Sequence, residues 1–151
     1  QYNIAVNLLG PFYLIRAAIA ELRPQNGRII NVSSGAATIS VENASAYCAA
    51  KAALNHFSRV LADEEPHLTV VAVRPGVVDT QMQDTIRQKG QGVMSTEQLA
   101  YYQDLKTEGQ LEKPEVPGRS IAWLALHAPR GFSGHPPIRQ SALEVFGARL
   151  A

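Results

Sequence analysis

The sequence has a single cysteine, Cys48, in 151 residues. No internal disulfide can form, and a reducing compartment is the simple inference. Net charge is nearly absent too: 14 Lys and Arg stand against 13 Asp and Glu. That balance leaves no long-range field to gather nucleic acid or an anionic membrane surface. No unbroken run of roughly 18 apolar residues occurs, which argues against a membrane span. The opening Gln1-Tyr2-Asn3-Ile4 lacks the basic-then-apolar order of a signal peptide, so the expected location is cytoplasmic. Four histidines, His56, His67, His127 and His135, are scattered without metal-ligand spacing, and no metal site is expected. Internal repeats and low-complexity tracts are missing as well.

What is present is an ordinary globular composition, 46% apolar and 18% charged, with room for one domain and a real core. Ile4, Leu8, Phe12, Ile15 and Ile19 recur at helical spacing and predict a largely buried helix over 3–22, kinked at Pro11. Helical periodicity is running within a few residues of Gln1, so the chain reads as starting inside a larger unit. Pro24-Gln25-Asn26-Gly27 turns the chain, and Arg28 to Val32 reads as a buried strand. Small polar residues from Ser33 to Asn43 form a loop before a second long helix, 44–65, stopped by Pro66. Asp63-Glu64-Glu65 at its end reads as a solvated face. Leu68 to Val73 is a second buried strand, which makes a right-handed parallel βαβ unit of an α/β fold.

Beyond Pro75-Gly76 the chain is polar and reads as a mobile loop through Gly92. Ser95-Thr96-Glu97-Gln98 matches a capping box and predicts a helix over 96–107. Gly109 to Gly118 reads as a linker, 117–126 as a helix centred on Trp123, and 137–140 as a short last strand.

The chemistry centres on Tyr47-Cys48-Ala49-Ala50-Lys51. Residues four apart on a helix share a face, so the spacing sets an ammonium beside a phenol. A fixed cation favours phenolate and brings a phenol toward general acid/base work at neutral pH. Around this pair stand Val6-Asn7-Leu8-Leu9-Gly10, then Gly27 to Ser34 with Ser34 thirteen residues before Tyr47, then Arg74-Pro75-Gly76-Val77-Val78-Asp79-Thr80. Taken singly, Ser34 reads equally as a loop residue capping the next segment, and Asn7 as a helix interruption. In this order and spacing the set resembles the short-chain dehydrogenase/reductase family over residues 1 to about 82, and more loosely to 128.

The resemblance implies a partial Rossmann-like, doubly wound parallel sheet, and a carbonyl or alcohol substrate exchanging hydride with a nicotinamide cofactor, NADP or NAD; the sequence does not read the choice, with NADP slightly favoured. It implies Tyr47 as acid/base and Lys51 as the group that tunes it and holds the cofactor ribose. Ser34 would donate to the substrate oxygen, and Asn7 would bind the water that links Lys51 to solvent. Asn31, also in the matched pattern, reads as structural, and the thirteen-residue spacing prefers Ser34 over Ser33. Pro75, Gly76, the backbone of Val78 and the Thr80 hydroxyl would meet the cofactor; the alternative is an ordinary strand-to-loop turn. Residues 83–118 would be the substrate lid of a single domain spanning 1–151. The stretch at 114–118 looks more like the small carbonyl-reducing members than the fatty-acid-synthesis ones.

A glycine-rich G-x-G-x-x-G turn, the family's pyrophosphate site, is absent before Tyr47, where Gly10 and Gly35 are isolated. The expectation is therefore the carboxyl-terminal portion of a member, a truncated or incompletely predicted product. Implied partners are a homo-oligomer or a full-length relative, paired through helices 3–22 and 44–65. The competing function is a non-catalytic remnant that binds another chain through the same two helices. A non-redox small-molecule-binding module using the Ser34/Tyr47 pocket is a third reading.

Overall fold

The structure, a computed structural model, describes residues 2–139. Its centre is β2 (Thr69–Arg74), flanked by β1 (Arg28–Val32) and β3 (Ile138–Arg139) in the order β1-β2-β3, all parallel. Register runs from Arg28 opposite Thr69 to Val32 opposite Val73, and Ile138 lies opposite Val73 on the other side. The first five residues of β2 are all buried, as expected for a strand covered on both faces. The predicted last strand is therefore present, as an edge strand just past Pro136-Pro137, where proline does least harm. Residue 140, the end of its predicted range, lies outside the described residues.

Alternation along the strands sends side chains into two cores. Ile29, Val70, Leu68 and Leu61 pack with Ile15, Ile19, Leu22 and Phe57 on one face. Val71 and Val73 pack with Leu124, Ala128, Ile121 and Trp123 on the other. Helices thus cover both faces of a parallel sheet, the doubly wound arrangement expected from the sequence. Each wholly buried Leu or Val here contributes about 1.5–3 kcal/mol over its exposed state.

The first helix differs from expectation. It comprises α1 (Tyr2–Ile4), a π-helical segment (Ala5–Leu9) and α2 (Gly10–Leu22), so the interruption precedes Pro11 as a widened turn. Such π turns recur at helix irregularities and functional sites. The helix is also not buried: Ile15 alone is fully covered, while Tyr2, Val6, Leu9, Tyr13 and Leu14 are exposed. By length and composition, Tyr2–Gln25 is apolar enough to cross a membrane, its most apolar 18-residue window having mean hydropathy 1.4 and only 6% of its residues buried. It carries two apolar faces, one on the sheet and one open, and a stripe pattern cannot tell that from burial.

Downstream, α3 (Ser45–Glu64) matches the predicted second helix. Its end is not merely solvated, because Glu65 accepts from Arg23 through both guanidinium positions, with Nε 2.9 Å from Oε2. The expected mobile loop contains a helix, α4 (Gln81–Lys89), closed by an Arg87–Asp84 pair one turn apart. Its composition is polar, so apolar periodicity did not announce it. α5 (Thr96–Thr107) stands where the capping box put it, and the Ser95 hydroxyl accepts from the Gln98 N–H at 3.3 Å. The reciprocal half of the box is not made: the Ser95 N–H donates to Glu42 instead, at 3.1 Å. Finally, α6 (Glu115–His127) begins inside the predicted linker, with Pro117 in the first turn, where helical N–H groups lack partners anyway.

Candidate active site

The loops at the carboxyl ends of β1 and β2 form one edge of the sheet, where open α/β sheets bind their ligands. The Ser33 N–H extends the β1 pairing by bonding the Val73 carbonyl at 2.8 Å. Ser34 follows at once in extended conformation and caps the 3-10 turn Gly35–Ala37, its Oγ accepting from the Ala36 N–H at 3.2 Å. That bond uses a lone pair and leaves the hydroxyl proton free to donate. The neighbouring Ser33 is buried with an unpartnered Oγ. Asn31 is structural, but by a side-chain bond to a helix rather than to backbone between strands: its Nδ2 donates to Ser58 Oγ at 2.9 Å, and that hydroxyl donates to the Leu54 carbonyl, tying β1 to α3.

Tyr47 occupies the first turn of α3 and Lys51 the second. The Lys51 Nζ stands 5.7 Å from the Tyr47 ring centroid, the one-turn adjacency that the spacing predicts. Lys51 is 9% exposed, and its ammonium donates to the Val32 carbonyl at 2.8 Å. Burial lowers its pKa from the ordinary 10.5. Among the described residues the ammonium makes no second hydrogen bond. The 3-10 turn after Ser34 packs against α3, the helix that carries Tyr47 and Lys51.

The π segment carrying Asn7 also packs against α3. The Asn7 side chain folds back on its own helix, with Nδ2 3.1 Å from the Asn3 carbonyl. Pro11 lies four residues on and has no N–H, so it cannot make the usual bond to the Asn7 carbonyl.

After β2, Gly76 takes φ +84°, a left-handed conformation that favours glycine. The chain then pairs with Glu112: the Asp79 N–H reaches the Glu112 carbonyl and the Glu112 N–H reaches Val77, both at 2.8 Å. Val78 sits between those bonds, so its own N–H and carbonyl face away from Glu112. The Thr80 hydroxyl lies 3.4 Å from that carbonyl, while the Val78 N–H bonds no other group among the described residues. Lys106 clamps Asp79 at 2.8 Å and closes the base of the segment. At its tip, Asn43 Nδ2 bonds the Val93 carbonyl at 3.0 Å. A cleft of about 430 Å³ opens there, lined by Ser40, Glu42, Ser95, Glu97, Gln98 and Tyr101.

Sequence reasoning missed Tyr102. Burial pushes its phenol up, with Tyr101, Cys48 and Tyr47 adding to the shift, so α5 brings a protonated phenol near the proposed acid/base. No periodic signal marks it, since the contact joins residues far apart in the chain. Among the described residues no cluster of metal-ligating side chains exists, and His127 packs beside Trp123, 6.0 Å between ring centroids.

A parallel sheet wrapped on both faces, with Tyr and Lys one turn apart at its carboxyl edge, defines a dehydrogenase-like α/β domain. The sequence model of the short chain dehydrogenase family matches residues 1–91, and the chain belongs to that family. It is 42% identical to an uncharacterised oxidoreductase of Saccharomyces cerevisiae over 85% of its own length and 52% of the relative. The crystal structure of that yeast short-chain dehydrogenase/reductase superposes with TM-score 0.90 at 39% identity, covering 95% of this chain and 58% of the other. A benzil reductase of the same yeast, forming (S)-benzoin, is 42% identical over 80% of this chain and 48% of the relative. An angucycline C-6 ketoreductase solved with bound NADP superposes at TM-score 0.69 and 26% identity, over 91% of this chain and 50% of the other. The chain spans about half the length of the curated relatives it matches.

Proposed function

We propose that this sequence carries the proton-transfer half of an NAD(P)-dependent carbonyl reductase, with Tyr47 as general acid/base and NADP as the preferred cofactor. The observation that carries the reading is the Lys51 ammonium fixed 5.7 Å from the Tyr47 ring. A nicotinamide, when bound, supplies hydride to the carbonyl carbon or accepts it from an alcohol. The phenol of Tyr47 holds the accompanying proton at its oxygen, and the adjacent cation stabilises the charge left as that proton departs. Ser34 donates its free hydroxyl proton to the substrate oxygen, where negative charge develops.

The residues present fit such a cofactor. Lys51 has donors to spare for ribose hydroxyls, and the unpaired Val78 N–H suits an amide oxygen. Gly76 lets Pro75-Gly76 turn close beneath it, and Thr80 offers a second hydroxyl. Asn7 completes the path, its carbonyl holding the water that returns protons to Lys51. Residues 83–118, tied at Asp79–Lys106 and Asn43–Val93, act as the lid over the substrate. The NADP preference draws on the ketoreductase similarity. A cytoplasmic location agrees with the single cysteine.

The test joins this chain behind the amino-terminal half of the yeast oxidoreductase relative and follows NADPH oxidation with benzil. Turnover that disappears in Tyr47→Phe supports the reading; equal rates in both discard it. The second reading, a remnant that binds another chain, is favoured by the open apolar face of Tyr2–Gln25. A homo-oligomer through this helix and α3 satisfies that face in either case.

A further inference from the structure

One cleft is used neither by the fold nor by the proposed chemistry. It holds about 430 Å³ between the loop at 40–42 and the start of α5, within the range of small-molecule pockets. Such pockets are mostly lined by apolar side chains. This one presents five polar side chains and a single aromatic ring, which suits a polar occupant with one apolar face.

The walls are held in place by the chain itself. Glu42 Oε2 accepts from the Ser95 N–H at 3.1 Å, and Asn43 Nδ2 donates to the Val93 carbonyl at 3.0 Å. These two bonds fasten the loop to the segment that opens α5. Ser40, Glu42, Glu97 and Tyr101 are exposed, so a ligand meets them directly from solvent. Their hydrogen-bonding capacity is largely unspent. Among the described residues Ser40 Oγ, the Glu97 carboxylate and the Tyr101 hydroxyl make no hydrogen bond. Ser95 Oγ accepts from the Gln98 N–H and keeps its own proton to donate.

The chemistry narrows the ligand. Two carboxylates line the cleft and no Lys, Arg or His does, so an anion is repelled. Both carboxylates stand at the amino end of α5, Glu42 on the N–H of its N-cap and Glu97 in its first turn. The helix end offsets their charge in part, and a cation would face that same positive end. Hydroxyls fit better: they donate to the carboxylates and accept from Ser40, Ser95 and Tyr101. The Tyr101 ring is 53% exposed and braced edge-on by Tyr102, 5.4 Å between centroids. It offers a flat apolar platform. A sugar ring carries both matching surfaces, hydroxyls around its rim and C–H groups across its face. Tyr102 also ties the cleft to the candidate acid/base: burial pushes its phenol up, and Tyr47 adds to the shift.

We propose that this cleft binds a sugar, with its hydroxyls on Glu42 and Glu97 and its ring face on Tyr101. That the sugar is also the substrate rests on the reductase reading. The experiment titrates the purified chain by NMR with methyl β-D-glucopyranoside, glucuronate and choline. The glucoside should bind about tenfold more tightly than the anion or the cation. Tyr101→Ala should weaken the glucoside about fivefold. Glu97→Gln keeps the size of the side chain and removes its charge, so the preference over glucuronate should fall to about threefold. That ratio reads the site and not the fold. No binding of the glucoside, tighter binding of choline, or a preference unchanged in both variants overturns the proposal. The joined protein used for turnover separates the two readings. Benzil reduction without glucoside binding removes this site alone. Glucoside binding that depends on Glu97 and Tyr101, without turnover, removes the reductase reading and leaves the site.

Discussion

The Lys51 Nζ donates to the Val32 carbonyl oxygen at 2.8 Å, so the ammonium beside Tyr47 also pins α3 to the end of β1. One side chain therefore fixes the distance between two elements of the candidate site, the helix that carries Tyr47 and the strand that delivers Ser34. Its orientation relative to the phenol is set by backbone as well as by helical spacing. A flexible surface lysine would hold no such position, because exposed long side chains lose too much rotamer freedom on fixing.

The bond has a consequence for stability that depends on pH. Lys51 titrates below its ordinary 10.5 in the folded chain because burial disfavours the charge. Between the folded value and 10.5 the unfolded chain binds more protons, so this residue makes stability rise with pH in that window. Below the window its desolvation cost is fully present. Compared with Lys51→Met in denaturant titrations, the native chain should gain relative stability as pH approaches 10.5. A pH-independent gap between the two would remove burial as the cause.

Tyr47 should separate chemistry from folding. Its hydroxyl makes no hydrogen bond among the described residues, and the ring is only half-buried. Tyr47→Phe should therefore change unfolding free energy by no more than about 0.5 kcal/mol. In the joined protein the same change should lower kcat by a factor of about 100 to 10,000. A thermal melt and a steady-state assay on the same preparation check both.

Acid should loosen the junction between the first helix and the end of α3. The Arg23 guanidinium hydrogen-bonds Glu65 and holds its carboxyl below the ordinary 4.5, outweighing partial burial. A depressed carboxylate contributes stability above the unfolded value and loses it as pH falls through the folded one. The stability gap between the native chain and Glu65→Gln should thus be constant near neutrality and close as pH drops below 4.5. Unfolding curves across that range decide it, and the gap should narrow in high salt because Arg23 is exposed.

How much was legible follows from which signals are local. The β-branched runs at β1 and β2 and the Leu54/Leu61 periodicity of α3 pointed to the right elements, because each pattern faces one surface. Tyr47 and Lys51 were legible as a pair because one helical turn joins them. The Lys51–Val32 bond was not, since nothing in either segment announces the other. α4 stayed hidden because it is stabilised by a local ion pair and its link to Thr80 rather than an apolar stripe. The capping box predicted α5 but not that Glu42 would take the Ser95 N–H. Tyr102 acquires meaning only once α5 is in place.

The first helix supplies the remaining prediction. Tyr2, Val6, Leu9 and Tyr13 recur at steps of four, three and four on the face opposite Ile15, Ile19 and Leu22. Leu14 beside them is 73% exposed. Exposed apolar side chains grouped along one helix face mark an interaction surface. A second copy meeting it across α2 and α3 needs to cover about 800 Å² per partner for a stable interface. Sedimentation equilibrium should then find a dimer in the native chain and a monomer in Leu14→Glu, with unchanged circular dichroism. A native monomer that transfers to phosphatidylcholine vesicles, and is released by the same substitution, would assign the face to lipid. The inward stripe argues for the protein partner: Ile15, Ile19 and Leu22 hold this helix on β1 and α3, and a span would have to tear them from the core.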